Sequence, residues 1–416
     1  MIDIQSNRTK NDKKPQLRRR LTLPLLILYG LGVTIGAGIY VLVGATASKA
    51  GIYAPISFLI AAIVVAFTGF SYAELGTRYP VSAGEAAYVK KGFNSKTLQL
   101  LTGFLVITSG VVSSATVAIG AAAYLEKLLP IPSAYLIILV IVVIGIIAAW
   151  GILESVFLAA IFTVLEICGL SLVIWIGVNS NSDIISRLPS LLPPLEFSVW
   201  SGIFSAGLLA FFAFVGFEDI ANVAEEVKNP RKTLPLGIIT TLVIATIIYF
   251  VVVSVVVLAV PMDTLIKSSA PLALIFENTD LKTRGFFNIL AIIATINGAL
   301  IQVIMASRVL YGLSSQQSLP SFLSYVNPVT RTPITATFVI IILVIILALF
   351  FPITELAEIT SQVVLIVFAL VNMALIFIKK HEKPTLFPSY FQVPKWIPYM
   401  GFTSSSLLFL VSFIPT

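Results

Sequence analysis

Long apolar runs restrict what this chain can fold into more than any other feature of its sequence. Only 11% of its residues are charged, whereas a soluble domain carries about a quarter. Eleven runs are long enough to span a bilayer, at residues 24–48, 52–76, 97–126, 134–151, 155–178, 199–224, 234–260, 285–312, 333–351, 355–378 and 397–414. Because backbone groups in lipid must pair within their own element, these runs predict helices. The sequence therefore predicts an all-α polytopic membrane protein.

The placement of Lys and Arg predicts how these spans are oriented. With the N-terminus inside, twenty of the 26 basic residues fall on the cytoplasmic side, in agreement with the positive-inside rule. We therefore expect a multi-pass protein of the cytoplasmic membrane, with its N-terminus in the cytoplasm and its C-terminus outside. Residues 1–22 are expected to form a basic cytoplasmic tail, and residues 23–416 the membrane domain. The net charge of +7 then reflects topology and contact with lipid, and needs no nucleic acid.

The spans divide into two sets of five, over residues 24–178 and 199–378, followed by an extra helix over 397–414. Because five is odd, the second set enters the membrane from the opposite side and is inverted. The first span of each set is interrupted, by TIGAGI at residues 34–39 and by FAFVGFE at residues 212–218. Interruptions at matching positions point to a transporter's binding site. Close helix packing through small residues is the alternative explanation for the glycines.

The first interruption also predicts an anion site. Each glycine costs a helix roughly 1 kcal/mol against alanine, so a break is expected there. The freed amides of Gly36, Ala37 and Gly38 would then lie at the N-terminus of a half-helix, which favours a negative group.

Two acidic residues inside apolar runs are candidates for ion coupling. Glu166 lies in the middle of span 5, where an unpaired carboxylate takes up a proton, and both a coupling role and a buried structural hydrogen bond are open for it. Glu218 follows the second interruption, where it either faces the substrate or sets the half-helix. Phe217 beside it is expected to cap a bound substrate. Glu74 and Arg78, one helical turn apart, predict an ion pair.

The composition excludes most catalytic chemistry. With one His and one Cys, the chain has no metal cluster and no Ser-His-Asp triad, and it carries no phosphate-binding loop. We therefore expect no cofactor, no metal and no enzyme activity.

Several motifs resemble the amino acid–polyamine–organocation (APC) superfamily of permeases, especially bacterial relatives of cationic amino acid transporters. They are GVTIGAGIYV at 32–41, SYAELG at 71–76 with AGE at 83–85, FVGFE at 214–218 with AEEVKNP at 224–230, and SRVLY at 307–311. The resemblance covers nearly the whole chain. It implies a five-plus-five inverted-repeat transporter fold with one extra helix and with helices 1 and 6 broken.

The resemblance also implies how an amino acid would bind. The α-carboxylate would meet the amides of Gly36, Ala37 and Gly38. The α-amino group would meet helix-end carbonyls near Thr34, Ile35, Phe212, Ala213 and Val215. Phe217 falls at the position of an aromatic gate, and Glu218 at an acidic position tied to substrate or proton sensing.

The sequence departs from the superfamily's pattern in two places. Proton-coupled relatives often carry a lysine in helix 5, where this chain has Glu166, so the coupling ion is open. Many relatives have twelve helices, whereas eleven are predicted here.

We predict a secondary active amino acid transporter that works by alternating access, with proton symport preferred over sodium symport. Its expected partners are an amino acid substrate, a coupling ion and the lipid bilayer. The alternatives are an amino acid/polyamine exchanger, a sodium-coupled symporter, and an uncoupled receptor or channel with the same fold. The residues alone do not predict which amino acid is carried.

Overall fold

The computed structural model describes most of the chain. The described residues are 21–36, 38–81, 84–150, 156–181, 183–224, 227–315, 319–330, 332–382 and 390–413, with the side chains of 156–159 and 222 excepted. Several expectations fall outside them. These are the role of Ala37 in binding, the basic tail over residues 1–20, and Arg331 and Lys383, two of the twenty basic residues assigned to the cytoplasmic side.

The described residues form sixteen α-helices, joined by loops and short 3₁₀ turns. They are α1 (Leu23–Ile35), α2 (Gly38–Ala50), α3 (Ala54–Arg78), α4 (Gly84–Phe93), α5 (Lys96–Glu126), α6 (Ser133–Trp150), α7 (Val156–Asn179), α8 (Ile184–Arg187), α9 (Phe197–Phe212), α10 (Asp219–Asn222), α11 (Pro230–Ala259), α12 (Met262–Lys267), α13 (Leu281–Ser315), α14 (Ile334–Phe350), α15 (Ile353–His381) and α16 (Trp396–Val411). A helix or a pair of helices occupies every predicted span. The all-α class is confirmed, and both expected interruptions separate a pair of helices.

Prolines and glycines determine where several of these helices begin. Pro24, Pro55 and Pro230 lie in the first turns of α1, α3 and α11, where a missing N–H leaves no helical bond unmade. Gly51 has a φ of +57° and makes the turn between α2 and α3.

Many of these helices are long enough to cross a bilayer. By length and composition, seven helical segments qualify among the described residues, and the segment Gly38–Arg78 among them joins α2 to α3. Four further apolar helices are shorter, namely α1, α9, α14 and α16. Because α1 and α9 are each one part of an interrupted span, their short length follows from the breaks. The count of eleven crossings stays a prediction.

The packing brings the two interrupted spans together. The helix α1 contacts α7, α11, α13 and α10, and α2 packs along α9. Beyond α10, the amide of Lys228 donates to the carbonyl of Leu21 at 2.8 Å, so the chain just before α1 is joined to the chain just after α10. The two interrupted spans therefore pack on each other, while α1 also contacts α7, α11 and α13, and α9 contacts α3, α15 and α16.

A buried charge network, the Glu74 cluster, joins the end of α3 to α15 and to segment 390–393. Arg78 Nε donates to Glu74 Oε1 at 2.8 Å, which confirms the predicted ion pair. Lys379 Nζ lies 2.7 Å from Glu74 Oε2, and the amide of Val393 donates to the same oxygen at 2.8 Å. Arg78 also reaches Glu382 at 2.8 Å. One carboxylate thus organises three parts of the chain.

Glu382, the partly exposed member of the Glu74 cluster, should make stability depend on pH. Burial raises the pKa of Glu382, but hydrogen bonds from Tyr390 and Arg78 outweigh it and hold the pKa below its usual value of 4.5. Since the folded-state pKa is the lower one, the stabilisation is present above about pH 4.5 and is lost as the pH falls through the folded-state pKa. We expect the melting temperature of Glu382→Gln, measured in detergent from neutral pH to about pH 3, to fall less at acid pH than that of wild type. Equal acid losses would contradict the assignment.

Candidate functional site

The second interruption is a six-residue turn that depends on glycine. The helix α9 ends at Phe212, and α10 begins at Asp219. Gly216 has a φ of +119°, a conformation that residues with a Cβ rarely adopt. Its amide donates to Glu218 Oε2 at 2.9 Å. Glu218 therefore binds a backbone group that the helix leaves free, as expected if it sets the half-helix.

The first interruption lies at Gly36, the last described residue before α2. The helix α1 ends at Ile35, and α2 begins at Gly38. Gly36 keeps right-handed helical angles, with φ −60° and ψ −28°. A Cβ on Gly36 would lie 3.0 Å from the Ala294 carbonyl oxygen, so this glycine packs closely on α13. Close packing, the alternative explanation, therefore accounts for part of the glycine pattern.

The two interruptions touch each other. A Cβ added to Gly38 would overlap the Cα of Ala213. A Cβ on Gly216 would lie only 2.8 Å from the carbonyl oxygen of Val33. The predicted binding residues Thr34, Ile35, Gly36, Gly38, Phe212, Ala213, Val215 and Phe217 are buried, and Glu218 is half-buried. Two spans separated by about 180 residues of chain thus meet at their breaks.

One hydroxyl group connects the two breaks. Tyr249 of α11 places its oxygen 2.7 Å from the Thr34 carbonyl and 2.8 Å from the Ala213 carbonyl. The residue-by-residue analysis of the sequence missed Tyr249. The available signal was a phenol within an apolar run, because such a hydroxyl needs an acceptor when it is buried.

Phe217 lies in an aromatic cluster with Tyr72 of α3 and Phe368 of α15. The Phe217 ring centroid is 5.7 Å from that of Tyr72 and 5.4 Å from that of Phe368, in edge-to-face geometry. Tyr72 and Phe368 also contact each other, at 5.7 Å. These edge-to-face contacts connect the second break to α3 and α15.

Glu166 lies behind the first break, between α7 and α13. Its side chain is fully buried, and Oε1 accepts a hydrogen bond from Asn297 Nδ2 at 2.9 Å. The other oxygen, Oε2, has no hydrogen-bond partner among the described residues. One turn earlier, Thr163 donates to the Leu28 carbonyl of α1 at 2.9 Å. The carboxyl group therefore sits where α1, α7 and α13 meet.

No metal centre is apparent in the described part of the chain, where no three His, Cys, Asp or Glu side chains come together. The interrupted helices instead offer backbone carbonyls and amides. Such groups bind the two ends of a zwitterion through hydrogen bonds and helix dipoles.

Comparison with known proteins identifies the family. The model of the amino acid permease family matches residues 21–416. Cationic amino acid transporter 3, mitochondrial, of Arabidopsis thaliana is 31% identical over 90% of this chain and 64% of its own length. The branched-chain amino acid permease of Bacillus subtilis is 28% identical over 95% and 88%. This chain therefore belongs to the amino acid permease family, within the APC superfamily, and is a multi-pass membrane protein.

The comparisons differ in how much they cover. The chain spans less than two thirds of the plant transporters it resembles, 64% and 65% for two of them. A Na⁺-coupled sialic acid symporter, solved in a substrate-bound outward-open state, matches with a TM-score of 0.64 over 94% of this chain and 89% of that chain. Sequence identity there is 10%, so the likeness shows a transporter fold and nothing about the substrate.

Proposed function

We propose that this protein is a secondary active transporter of amino acids in the cytoplasmic membrane, working by alternating access with proton symport. The observation that carries the proposal is the direct contact between the two interrupted spans, whose helix-end carbonyls meet in a buried place. Membership of the amino acid permease family supports an amino acid as the substrate. The relatives named above are transporters and permeases rather than enzymes.

In this proposal the substrate lies across both breaks. Its carboxylate is bound by the amides of Gly36, Ala37 and Gly38, at the positive end of α2. Its ammonium group is bound by carbonyls at the end of α1 and beyond α9, near Thr34, Ile35, Phe212, Ala213 and Val215. Phe217 closes over the substrate, and Glu218 links the shape of the second break to substrate or proton binding.

We propose Glu166 as the coupling group, with Glu218 as the second candidate. The oxygen Oε2 of Glu166, which has no hydrogen-bond partner in the part of the chain that the structure describes, can accept a proton without disturbing the bond from Asn297. Because Thr163 and Asn297 adjoin Gly32 of α1, a change of charge here acts close to the first break. That position lets protonation and the arrangement of α1 influence each other.

The proposed topology follows from the sequence. Residues 24–178 and 199–378 are inverted repeats, residues 397–414 are an extra helix, and the N-terminus is cytoplasmic. The contact of Leu21 with Lys228 agrees with this topology, since both then lie on the cytoplasmic side.

Uptake into proteoliposomes tests the transport activity. Radiolabelled amino acids of each side-chain class are offered to the purified protein, with and without an inward pH gradient. We expect at least one amino acid to accumulate when the gradient is present and only to equilibrate when it is absent. If no amino acid or amine enters under either condition, the proposal is wrong.

Substitution of the two carboxyl groups tests the coupling. We expect Glu166→Gln to abolish accumulation driven by the pH gradient while downhill flux of the same amino acid persists, because glutamine keeps the shape but cannot carry the proton. Glu358→Gln is the matched control, because Glu358 pairs with Lys49 away from both breaks. We expect this variant to accumulate substrate as wild type does.

Glu218→Gln separates the two candidates. If this variant loses pH-driven accumulation while Glu166→Gln keeps it, Glu218 is the coupling group. If both variants accumulate substrate as wild type does, proton coupling through these carboxyl groups is excluded.

A further inference from the structure

The hydroxyl of Tyr249 is shared between two acceptors. It lies 2.7 Å from the Thr34 carbonyl oxygen and 2.8 Å from that of Ala213, and its side chain is fully buried. A phenol carries a single proton, so it can fully satisfy only one of these carbonyls at a time. Two acceptors therefore converge on a group that has one donor.

Both acceptors are helix-end carbonyls. Thr34 lies in the last turn of α1, and Ala213 is the residue that follows α9. Carbonyls at helix C-termini lack part of their helical hydrogen bonding and carry the negative end of the helix dipole. The point where two such ends meet favours a cation with several donors over a neutral hydroxyl with one.

The position of Tyr249 is fixed by ring packing as well as by these bonds. Its ring centroid lies 5.0 Å from that of Phe214 and 6.0 Å from that of Phe58, both in edge-to-face geometry. Removing only the hydroxyl should therefore leave the ring in place and free both carbonyls.

We infer that the Tyr249 hydroxyl occupies the place proposed for the substrate's ammonium group and competes with it for the Thr34 and Ala213 carbonyls. The inference rests on the proposed function and adds a specificity-determining residue to it. When an α-amino acid displaces the phenol, its charged amino group donates to the same carbonyls and so compensates for the lost hydrogen bond. A carboxylic acid that lacks the amine has no group for these carbonyls and leaves the phenol in place, so the hydroxyl does not affect its affinity.

The affinity of Tyr249→Phe tests this competition. Binding to purified protein is measured by calorimetry for the α-amino acid that binds wild type most tightly, and for the carboxylic acid with the same side chain but no amino group. We expect the phenylalanine variant to bind the amino acid about fivefold more tightly, which is roughly what one net hydrogen bond contributes. Its affinity for the acid without the amine should not change.

Tyr124→Phe is the matched control. Tyr124 is also fully buried, and its hydroxyl donates to the Tyr40 carbonyl at 2.5 Å, apart from the Thr34 and Ala213 carbonyls. This variant loses a similar bond, so its melting temperature should fall while its amino acid affinity stays at the wild-type value. A purely structural role of Tyr249 would make the two variants behave alike.

The possible failures can be told apart. If wild type binds no amino acid or amine, both the proposed function and this inference are wrong. If wild type binds an amino acid but Tyr249→Phe binds it equally or more weakly, only the competition is wrong. Tyr249→Leu is a second variant without the hydroxyl; it also loses the ring contacts with Phe214 and Phe58, so we expect a smaller gain in affinity and a lower melting temperature. If both variants fail to fold while Tyr124→Phe folds, the hydroxyl is a structural support and the inference is overturned.

Discussion

Replacing Glu74 with alanine is expected to lower the free energy of unfolding by about 3–5 kcal/mol, the usual cost of removing one partner from a buried ion pair. Glu74 is fully buried, and its carboxylate holds Arg78, Lys379 and the amide of Val393. Its loss removes the buried anion from beside two cations and leaves the Val393 amide without its acceptor, while Arg78 keeps Glu382 and Lys379 keeps the Val393 carbonyl. Chemical denaturation in detergent, followed by the fluorescence of the four tryptophans, measures the change.

The partners of Glu74 explain why the loss should spread beyond one residue. Lys379 also donates to the Val393 carbonyl at 2.6 Å, and the Arg78 guanidinium lies 4.2 Å from the centre of the Tyr390 ring. The segment from 390 to 393 is thereby attached to α3 and α15. Without the carboxylate, this segment loses the bond to its Val393 amide, so we expect it to be destabilised together with the ends of α3 and α15.

A matched control separates burial from charge. Lys49 and Glu358 form an ion pair at 2.6 Å, but both side chains are about 30% exposed. Glu358→Ala should therefore cost no more than about 1 kcal/mol. Glu74→Gln keeps an oxygen acceptor and should fall between the two. If Glu74→Ala costs no more than Glu358→Ala, the Glu74 cluster does not support the fold.

Local sequence patterns predicted some parts of the site and not others. Gly36, Gly38 and Gly216 stand out because glycine is costly in a membrane helix, and their positions in the two halves coincide. The Glu74–Arg78 pair was predictable because a helix brings residues four apart onto one face. Lys379 and Val393 were not predictable partners, since they reach Glu74 only through the packing of distant helices.

Tyr249 and Glu166 illustrate the same limit. Each is visible in the sequence as a polar group in an apolar run, but its partner depends on tertiary structure. Glu166 is bonded to Asn297, 131 residues away, and Tyr249 to Thr34, 215 residues away. Periodicity carries no information about such pairings, because it reports only which side of one helix is apolar.

Four glycine-to-alanine substitutions should separate backbone strain from steric overlap at the breaks. Gly216→Ala causes both backbone strain and steric overlap, and we expect it to lower the free energy of unfolding by about 3 kcal/mol or more. Gly38→Ala meets only the overlap with Ala213, about 1–3 kcal/mol. Gly51→Ala meets only strain, about 1–2 kcal/mol, because nothing lies within 4 Å of the added Cβ. Gly312→Ala, inside α13 with open space around it, should gain up to about 1 kcal/mol.

We expect the order of these four variants in substrate affinity to differ from their order in stability. Alanine at Gly38 or Gly216 pushes the two breaks apart, so the carbonyls and amides proposed to hold the zwitterion no longer converge. We expect both variants to lose amino acid binding at temperatures where they remain folded. Gly51→Ala should bind normally despite its lower stability, because residue 51 lies at the turn before α3. Binding that tracks melting temperature across all four variants would show that contact between the breaks matters for folding alone.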